Sequence, residues 1–245
     1  MNFLFEMAFP FFKKRLIFAA HFLFLCLQNR NLFLMDYNFI VIEGNIGAGK
    51  TTLSHKISEE CNAKLILEQF AENPFLPKFY KDPDKYSFPL EMSFLADRYN
   101  QLKKELSERD LFKSFTISDY YFMKSLIFSK QTLQDDEYTL YRQFFHIIYN
   151  SLPKPDLYVY LHSNAEKLLH NIKNRGREYE QEITADYLTK IQESYFDFFK
   201  QQRDLKFLVI DTNDIDFVNN KEDYKKITET IFNTECKFGV NRVIL

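Results

Sequence analysis

Five short, mainly apolar runs punctuate this chain, at residues 39–42, 64–67, 115–119, 157–161 and 206–210. Runs of this length with little polar alternation suit strands buried on both faces of a sheet. Between them apolar positions recur at helical spacing, after residue 50, from Asn73-Pro74 through Phe79 and Tyr80, and over 88–107, 121–133 and 136–152. The same spacing returns over 165–174, 185–202 and 222–232. Strands separated by helices predict an α/β fold, a parallel sheet of five strands with right-handed crossovers and helices on both faces. In such a sheet ligands bind beyond the carboxyl ends of the strands. Five loops are thereby delivered to one edge: the turn after residue 42, Glu68, Asp119, the segment after His162, and the loop 211–217 that carries Asp214 and Phe217.

Residues 1–34 break the pattern. Lys13-Lys14-Arg15 precedes an apolar stretch over 16–27, interrupted only by His21. That stretch is short for a membrane span, which needs about 20 residues. As a secretory signal it lacks a convincing cleavage site. A membrane-surface helix is the next alternative. We expect Met35 to be the natural start, with 1–34 an N-terminal extension outside the fold and 35–245 a single catalytic domain.

Length and charge narrow the function. A chain of 245 residues builds one sizeable α/β domain. Its formal net charge of −2 gives no broad basic field, so nucleic acid is not an expected partner. The three cysteines, Cys26, Cys61 and Cys236, share no metal or redox spacing. The 28 phenylalanines and 15 tyrosines say nothing about chemistry.

The chemistry begins where the first strand ends. Gly44-Asn45-Ile46-Gly47-Ala48-Gly49-Lys50-Thr51 fits G-x-x-x-x-G-K-[ST] without mismatch, and Thr52 continues into a helical pattern. Glycines leave backbone N–H groups free to cradle phosphates, the lysine reaches the β- and γ-phosphates, and the threonine hydroxyl ligates Mg²⁺. The following helix points its positive end at the same anion. Asp119, closing the third run, is the second candidate Mg²⁺ residue beside Thr51. Glu68 is placed to accept a proton from a substrate hydroxyl. Arg175 and Arg177 have the forked donors that match phosphate oxygens. Each also has a plainer reading: Glu68 as a solvated loop acid, the arginines as a basic helix end, and Glu180 as a helix-start acid.

Six segments then carry a resemblance: GNIGAGKT, LEQFAENPFLPKFY, LEMSFLADRY, ISDYYFMKSLIF, LPKPDLYVYL and NRGREYE. Their order is that of bacterial deoxynucleoside kinases, which the chain resembles from about Tyr37 onward, closest to the deoxyguanosine kinase branch with deoxyadenosine kinases near by. The resemblance implies a P-loop kinase fold on a five-stranded sheet with a short arginine lid, usually dimeric. It also implies a cytoplasmic enzyme of nucleotide salvage that uses ATP and Mg²⁺, with no stable membrane association. By resemblance Glu68 is the general base at the 5′-hydroxyl with Arg98 beside it. Tyr80 and Glu180 match contacts to the 3′-hydroxyl, with Phe79 next to them. Phe128 matches a base-stacking ring, and Arg175 and Arg177 the lid. Asp214 and Phe217 join the P-loop as ATP contacts. Two departures stand out: Asp119-Tyr120-Tyr121 replaces an Asp/Glu-Arg-Ser triplet common in relatives, and Asn171 stands where some relatives place a further lid arginine.

Base choice is also readable. Glu91 and Arg98 are seven residues apart and share a helix face. A carboxylate offers acceptors only, which suits the adjacent N1–H and 2-amino donors of guanine, and Lys124 offers a donor to guanine O6 or N7. The expected substrate is therefore a purine deoxynucleoside, deoxyguanosine preferred. The plainer reading is a Glu91–Lys124 ion pair that reads nothing. Two other functions compete, a thymidylate-type monophosphate kinase and a non-catalytic ATP-binding module. A GTPase is suggested only by Asn220-Lys221-Glu222-Asp223, which lies too far beyond the fifth strand and reads better as a helix cap.

Overall fold

Strand β1 (Phe39–Gly44) is buried along its whole length, Glu43 included, and lies at the centre of a sheet ordered β2-β3-β1-β4-β5-β6 with every pairing parallel. This computed structural model describes residues 37–69, 73–108 and 110–245; the extension expected over 1–34 lies outside the described residues. The other strands are β2 (Lys64–Ile66), β3 (Thr116–Ser118), β4 (Leu157–His162), β5 (Lys206–Asp211) and β6 (Gly239–Ile244). Between them run α1 (Lys50–Glu60), α2 (Leu76–Lys81), α3 (Pro83–Ser107), α4 (Met123–Thr132) and α5 (Asp135–Tyr149). The set closes with α6 (Ala165–Arg175), α7 (Ala185–Gln201) and α8 (Lys221–Asn233).

The sixth strand corrects the expectation of five. Its sequence, GVNRVI, is not an apolar run: alternate residues are exposed, as befits an edge strand with one solvated face. It adds to β5 in parallel, from Lys206 opposite Gly239 to Asp211 opposite Ile244.

The core packs α4, α5 and α7 against the sheet, and it is built from aromatic rings. Phe199 stacks on Phe207 at 4.3 Å between centroids, Phe145 on Phe122 at 5.0 Å, and Tyr160 meets Tyr195 at 4.9 Å. Each pair of this kind contributes about 0.5–1.5 kcal/mol beyond its buried area. The phenylalanine-rich composition thus has a structural outlet here. Helix α3 begins before the expected residue 88, because Asp82 caps its first turn, its side chain accepting from the Lys85 N–H, and Pro83 occupies the first position.

Asn220 confirms the cap reading over the guanine-binding one. Its side chain accepts the N–H groups of Glu222 and Asp223 at 2.9 and 3.3 Å. Asp223 in turn accepts the N–H of Asp216 at 2.9 Å. Both side chains of the motif are thus engaged in holding the loop before α8.

Candidate active site

Helix α1 starts without a capping side chain. Its N-cap, Gly49, sits at φ 83°, and no acidic residue occupies the first turn. The first amides of the helix are therefore left for an anion rather than for a neighbouring side chain. A side chain at Gly49 is excluded twice over, by the left-handed backbone and by the Phe217 ring, 2.7 Å from where a Cβ would stand. Phe217 thus supports the loop from behind, while Asp214 is exposed in the loop after β5. Within the turn, Lys50 Nζ donates to the Asn45 carbonyl at 2.8 Å, and the Asn45 side chain donates to Leu188 on α7 at 2.7 Å. Desolvation, with the Lys124 charge close by, lowers the Lys50 ammonium to about 8.

Asp119 joins the P-loop to the neighbouring strand end. One oxygen accepts the Thr51 hydroxyl at 2.5 Å and the other accepts the Glu68 N–H at 2.9 Å. The Thr51–Asp119 donor set is all oxygen, which fits a hard divalent cation such as Mg²⁺.

Glu68 is the most heavily engaged acid in the site. Arg98 Nε and Nη2 both donate to its Oε1, at 2.9 and 2.8 Å, and Lys124 Nζ forms an ion pair with Oε2. Burial alone would raise this carboxyl, but Lys124 and Arg98 outweigh it and hold Glu68 down at about 2. Arg98 is fixed in turn by Ser125, whose hydroxyl oxygen accepts Nη1 at 2.9 Å, and by the Phe94 ring 4.8 Å beneath the guanidinium.

Three further candidates converge on the lid. Gly176, at φ 71°, ends α6 with a left-handed turn. Arg175 before it and Arg177 after it then meet the same partner: both pair with the buried carboxylate of Glu180, Arg177 Nη1 at 3.2 Å. Asn171 donates to the Gly47 carbonyl at 2.9 Å, so the lid helix is tied to the P-loop at the position where an arginine is absent.

Glu91 is buried as its place on α3 predicts. Its Oε1 accepts the Thr132 hydroxyl at 2.8 Å, whereas Oε2 is enclosed without a hydrogen-bond partner. Burial raises this carboxyl to about 7. Lys124 does not pair with it; its ammonium lies at Glu68 and 5.4 Å from the centre of the Phe128 ring. The plainer reading of a Glu91–Lys124 ion pair is thus overturned, because Glu68 offers the lysine a nearer ionised partner.

One cavity of about 170 Å³ brings the candidates together. Ile46, Lys50, Thr51 and Asp119 line its phosphate end, and Arg175, Arg177 and Glu180 its lid. Glu68, Arg98 and Lys124 lie on its wall with Phe79, Glu91 and Phe128. Asp214 and Phe217 are not among its lining residues, and the side chain of Tyr80 lies outside the described residues.

Other groups of consequence were not expected from sequence. Glu43 is buried in β1, where it accepts the Tyr121 N–H at 3.0 Å and the Tyr195 hydroxyl at 2.9 Å. Its carboxyl is raised by burial against the opposing pull of Lys124 and Lys50. An acid inside an otherwise apolar strand, FIVIEG, was the available signal. Thr132 and Ser125 gave none, since a hydroxyl on a helix is unremarkable until its partner is known.

Comparison with known proteins agrees with this geometry. The family model described as deoxynucleoside kinase matches residues 40–237. The deoxyguanosine kinase of Bacillus subtilis (strain 168) is 39% identical over 194 residues, covering 77% of this chain and 93% of that protein. A deoxyadenosine kinase of Dictyostelium discoideum is 32% identical over 167 residues, 68% of each chain. Among solved structures, deoxyadenosine kinase from M. mycoides with bound dATP superposes with a TM-score of 0.68 at 28% identity, covering 80% of this chain and all of that one. With its family model spanning five of the six strands, the P-loop and the lid, the chain belongs to the deoxynucleoside kinase family and is an enzyme of that class.

Proposed function

We propose that the protein transfers the γ-phosphoryl group of ATP to the 5′-hydroxyl of a purine deoxynucleoside, deoxyguanosine in preference to deoxyadenosine. The observation that carries this reading is the single cavity in which P-loop, Glu68 and Glu91 meet. A donor nucleotide at the P-loop and an acceptor nucleoside between Phe128 and Glu91 would face each other across Glu68. Binding both in one enclosure turns a bimolecular reaction into an intramolecular one, which contributes roughly 7–11 kcal/mol in well-oriented cases.

Each residue then has a task. The amides of the P-loop and α1 hold the donor phosphates, with Lys50 at their distal end. Arg175 and Arg177 leave Glu180 for the phosphoryl group as Glu180 takes the sugar's 3′-hydroxyl. Glu68, kept ionised by its cations, accepts the 5′-hydroxyl proton. Thr51 and Asp119 would hold Mg²⁺, which supplies charge neutralisation at the phosphates when bound. The deoxyadenosine kinase relative of known structure binds dATP and dCTP, which supports use of a nucleoside triphosphate.

Deoxyguanosine is favoured by the unpartnered Glu91 oxygen, which calls for a donor from the base. A monophosphate kinase would need a free cation for the substrate's own phosphate. The residues that follow Glu68 in sequence, Gln69 and Phe70, carry no charge. We further propose a cytoplasmic homodimer, with 35–245 as the catalytic domain. Among the described residues no helix is long and apolar enough to cross a membrane. Leu140, Phe144 and Ile147 on α5 form an exposed apolar stripe suited to a second copy.

The test is purified protein with radiolabelled ATP, Mg²⁺ and a panel of nucleosides and nucleoside monophosphates. Label in a deoxynucleoside 5′-monophosphate, greatest for deoxyguanosine, is the expected outcome. Label only in diphosphates would select the monophosphate kinase reading, and no transfer despite ATP binding the regulatory one.

A further inference from the structure

Lys124, the second residue of α4, lies with Glu68 rather than with Glu91. Its side chain is 12% exposed, and its ammonium takes the one oxygen of Glu68 that the Arg98 fork leaves open. Its charge bears on Glu68 more than that of Arg98, on Glu43 more than that of Lys50 and on Lys50 more than that of Glu43, and on Glu91 less than the charges of Arg98 and Glu68 do. Arg98 is held in place by Ser125 and Phe94, whereas among the described residues the Lys124 ammonium donates to Glu68 alone.

We propose, resting on the kinase reading above, that Lys124 is a cation of the phosphoryl-transfer centre. In the nucleoside-free protein it neutralises Glu68, and it turns onto the transferring phosphoryl group when the 5′-hydroxyl takes Oε2. The exchange is balanced in charge and in atoms. The bond from O5′ to the γ-phosphorus forms and the bond from that phosphorus to the leaving ADP oxygen breaks. The hydroxyl proton passes to Glu68 Oε2 and reaches water as product leaves, while Lys124 keeps its own protons. Moving a charge already inside the cavity requires no new desolvation at the moment of reaction. It also frees Glu68 from its nearest cation, so that its basicity rises when the proton must be taken.

Steady-state kinetics of Lys124→Met and Lys124→Arg on deoxyguanosine and deoxyadenosine, between pH 5 and 9, test this. Lys124→Met should lower kcat at least about tenfold on both nucleosides, with KM little changed. Lys124→Arg should restore most of kcat, and at each pH the ratio of the two nucleosides should stay within about twofold of the wild-type ratio. Should the methionine variant fail to fold, Lys124→Gln reports the same loss. An unchanged kcat in the methionine variant would overturn the proposal. So would a shifted nucleoside ratio with kcat intact, which would return Lys124 to base reading. A wild-type protein inactive on every deoxynucleoside would remove the reaction itself, and this role with it.

Discussion

Asp119 Oδ1 accepts the backbone N–H of Glu68 at 2.9 Å, so the end of β3 fixes the residue that the end of β2 presents to the cavity. The other oxygen of the same carboxylate holds Thr51. One acid thus sets the spacing between the proposed proton acceptor and the P-loop threonine proposed to hold the metal with it. Asp119→Asn keeps the shape but weakens both links. Its kcat should fall by about 10–100-fold, and the Mg²⁺ concentration needed for half-maximal rate should rise. Titrating Mg²⁺ at saturating nucleoside and ATP measures both. An unchanged Mg²⁺ requirement would show that Asp119 serves only β2.

Glu68→Gln removes proton acceptance at nearly constant size, and kcat should drop at least about 100-fold. Nucleoside affinity should change little. The substitution also leaves Arg98 and Lys124 as buried cations without a counter-charge, which costs about 3–5 kcal/mol where pairs are well enclosed. Thermal melts must therefore accompany the kinetics. The depressed Glu68 carboxyl contributes stability that is present above its ordinary value of 4.5 and lost as pH falls toward 2. The stability gap between wild type and Glu68→Gln should accordingly close in that acid range. A folded variant with near-normal turnover would show that another group takes the proton.

Much of this site was legible because strand ends are legible. A run such as FIVIE followed by GNIGAGKT marks both a buried strand and the edge where its ligand lies, and Glu68 and Asp119 inherit their positions from the same rule. What escaped was anything decided by distance across the fold. Lys124 and Glu91 are plausible partners on sequence, yet Lys124 belongs to Glu68, because which carboxylate a lysine reaches depends on the packing of α4 against α3. Strand β6 escaped for a different reason: an edge strand with one wet face has no apolar run, and its identity comes from pairing with β5.

The expectation that residues 1–34 are dispensable has a direct measurement. A chain beginning at Met35 should express in soluble form, melt at the temperature of the full chain and phosphorylate deoxynucleosides at the same rate. Tyr37, two residues on, is already buried, and the Asn38 and Phe39 N–H groups are held by Asp156 at 2.7 and 2.9 Å. Loss of folding, or loss of a membrane-bound pool present in the full chain, would assign the segment a role.

Glu91 offers the sharpest prediction, because its protonation and its selectivity are the same property. Thr132 holds one oxygen, and the other, enclosed and unpartnered, is the one proposed to meet the base. With its carboxyl raised from 4.5 to about 7, Glu91 is mainly neutral at pH 6 and mainly ionised at pH 8. The ionised form offers acceptors alone and suits the N1–H and 2-amino donors of guanine. The neutral form offers one donor and one acceptor, the complement of adenine N1 and its 6-amino group. The charges that tune it are Arg98 on its own helix, Lys124 on α4 and Glu68 at the end of β2, and Tyr141 of α5 lies against its backbone carbonyl. The kcat/KM ratio of deoxyguanosine to deoxyadenosine should therefore rise with pH, reaching at least about tenfold at pH 8, since a mismatched buried hydrogen bond costs about 1–3 kcal/mol. In Glu91→Gln the ratio should be smaller and flat with pH. Stability gives an independent reading. A carboxyl raised on folding contributes stability that is complete below its unfolded value of 4.5 and is lost as pH climbs through 7. Glu91→Gln should thus gain thermal stability over wild type at pH 8 but not at pH 4. A ratio that differs between the proteins yet ignores pH would keep Glu91 as the base reader and remove only the switch. Equal efficiency on both purines in both proteins would remove Glu91 from base recognition altogether.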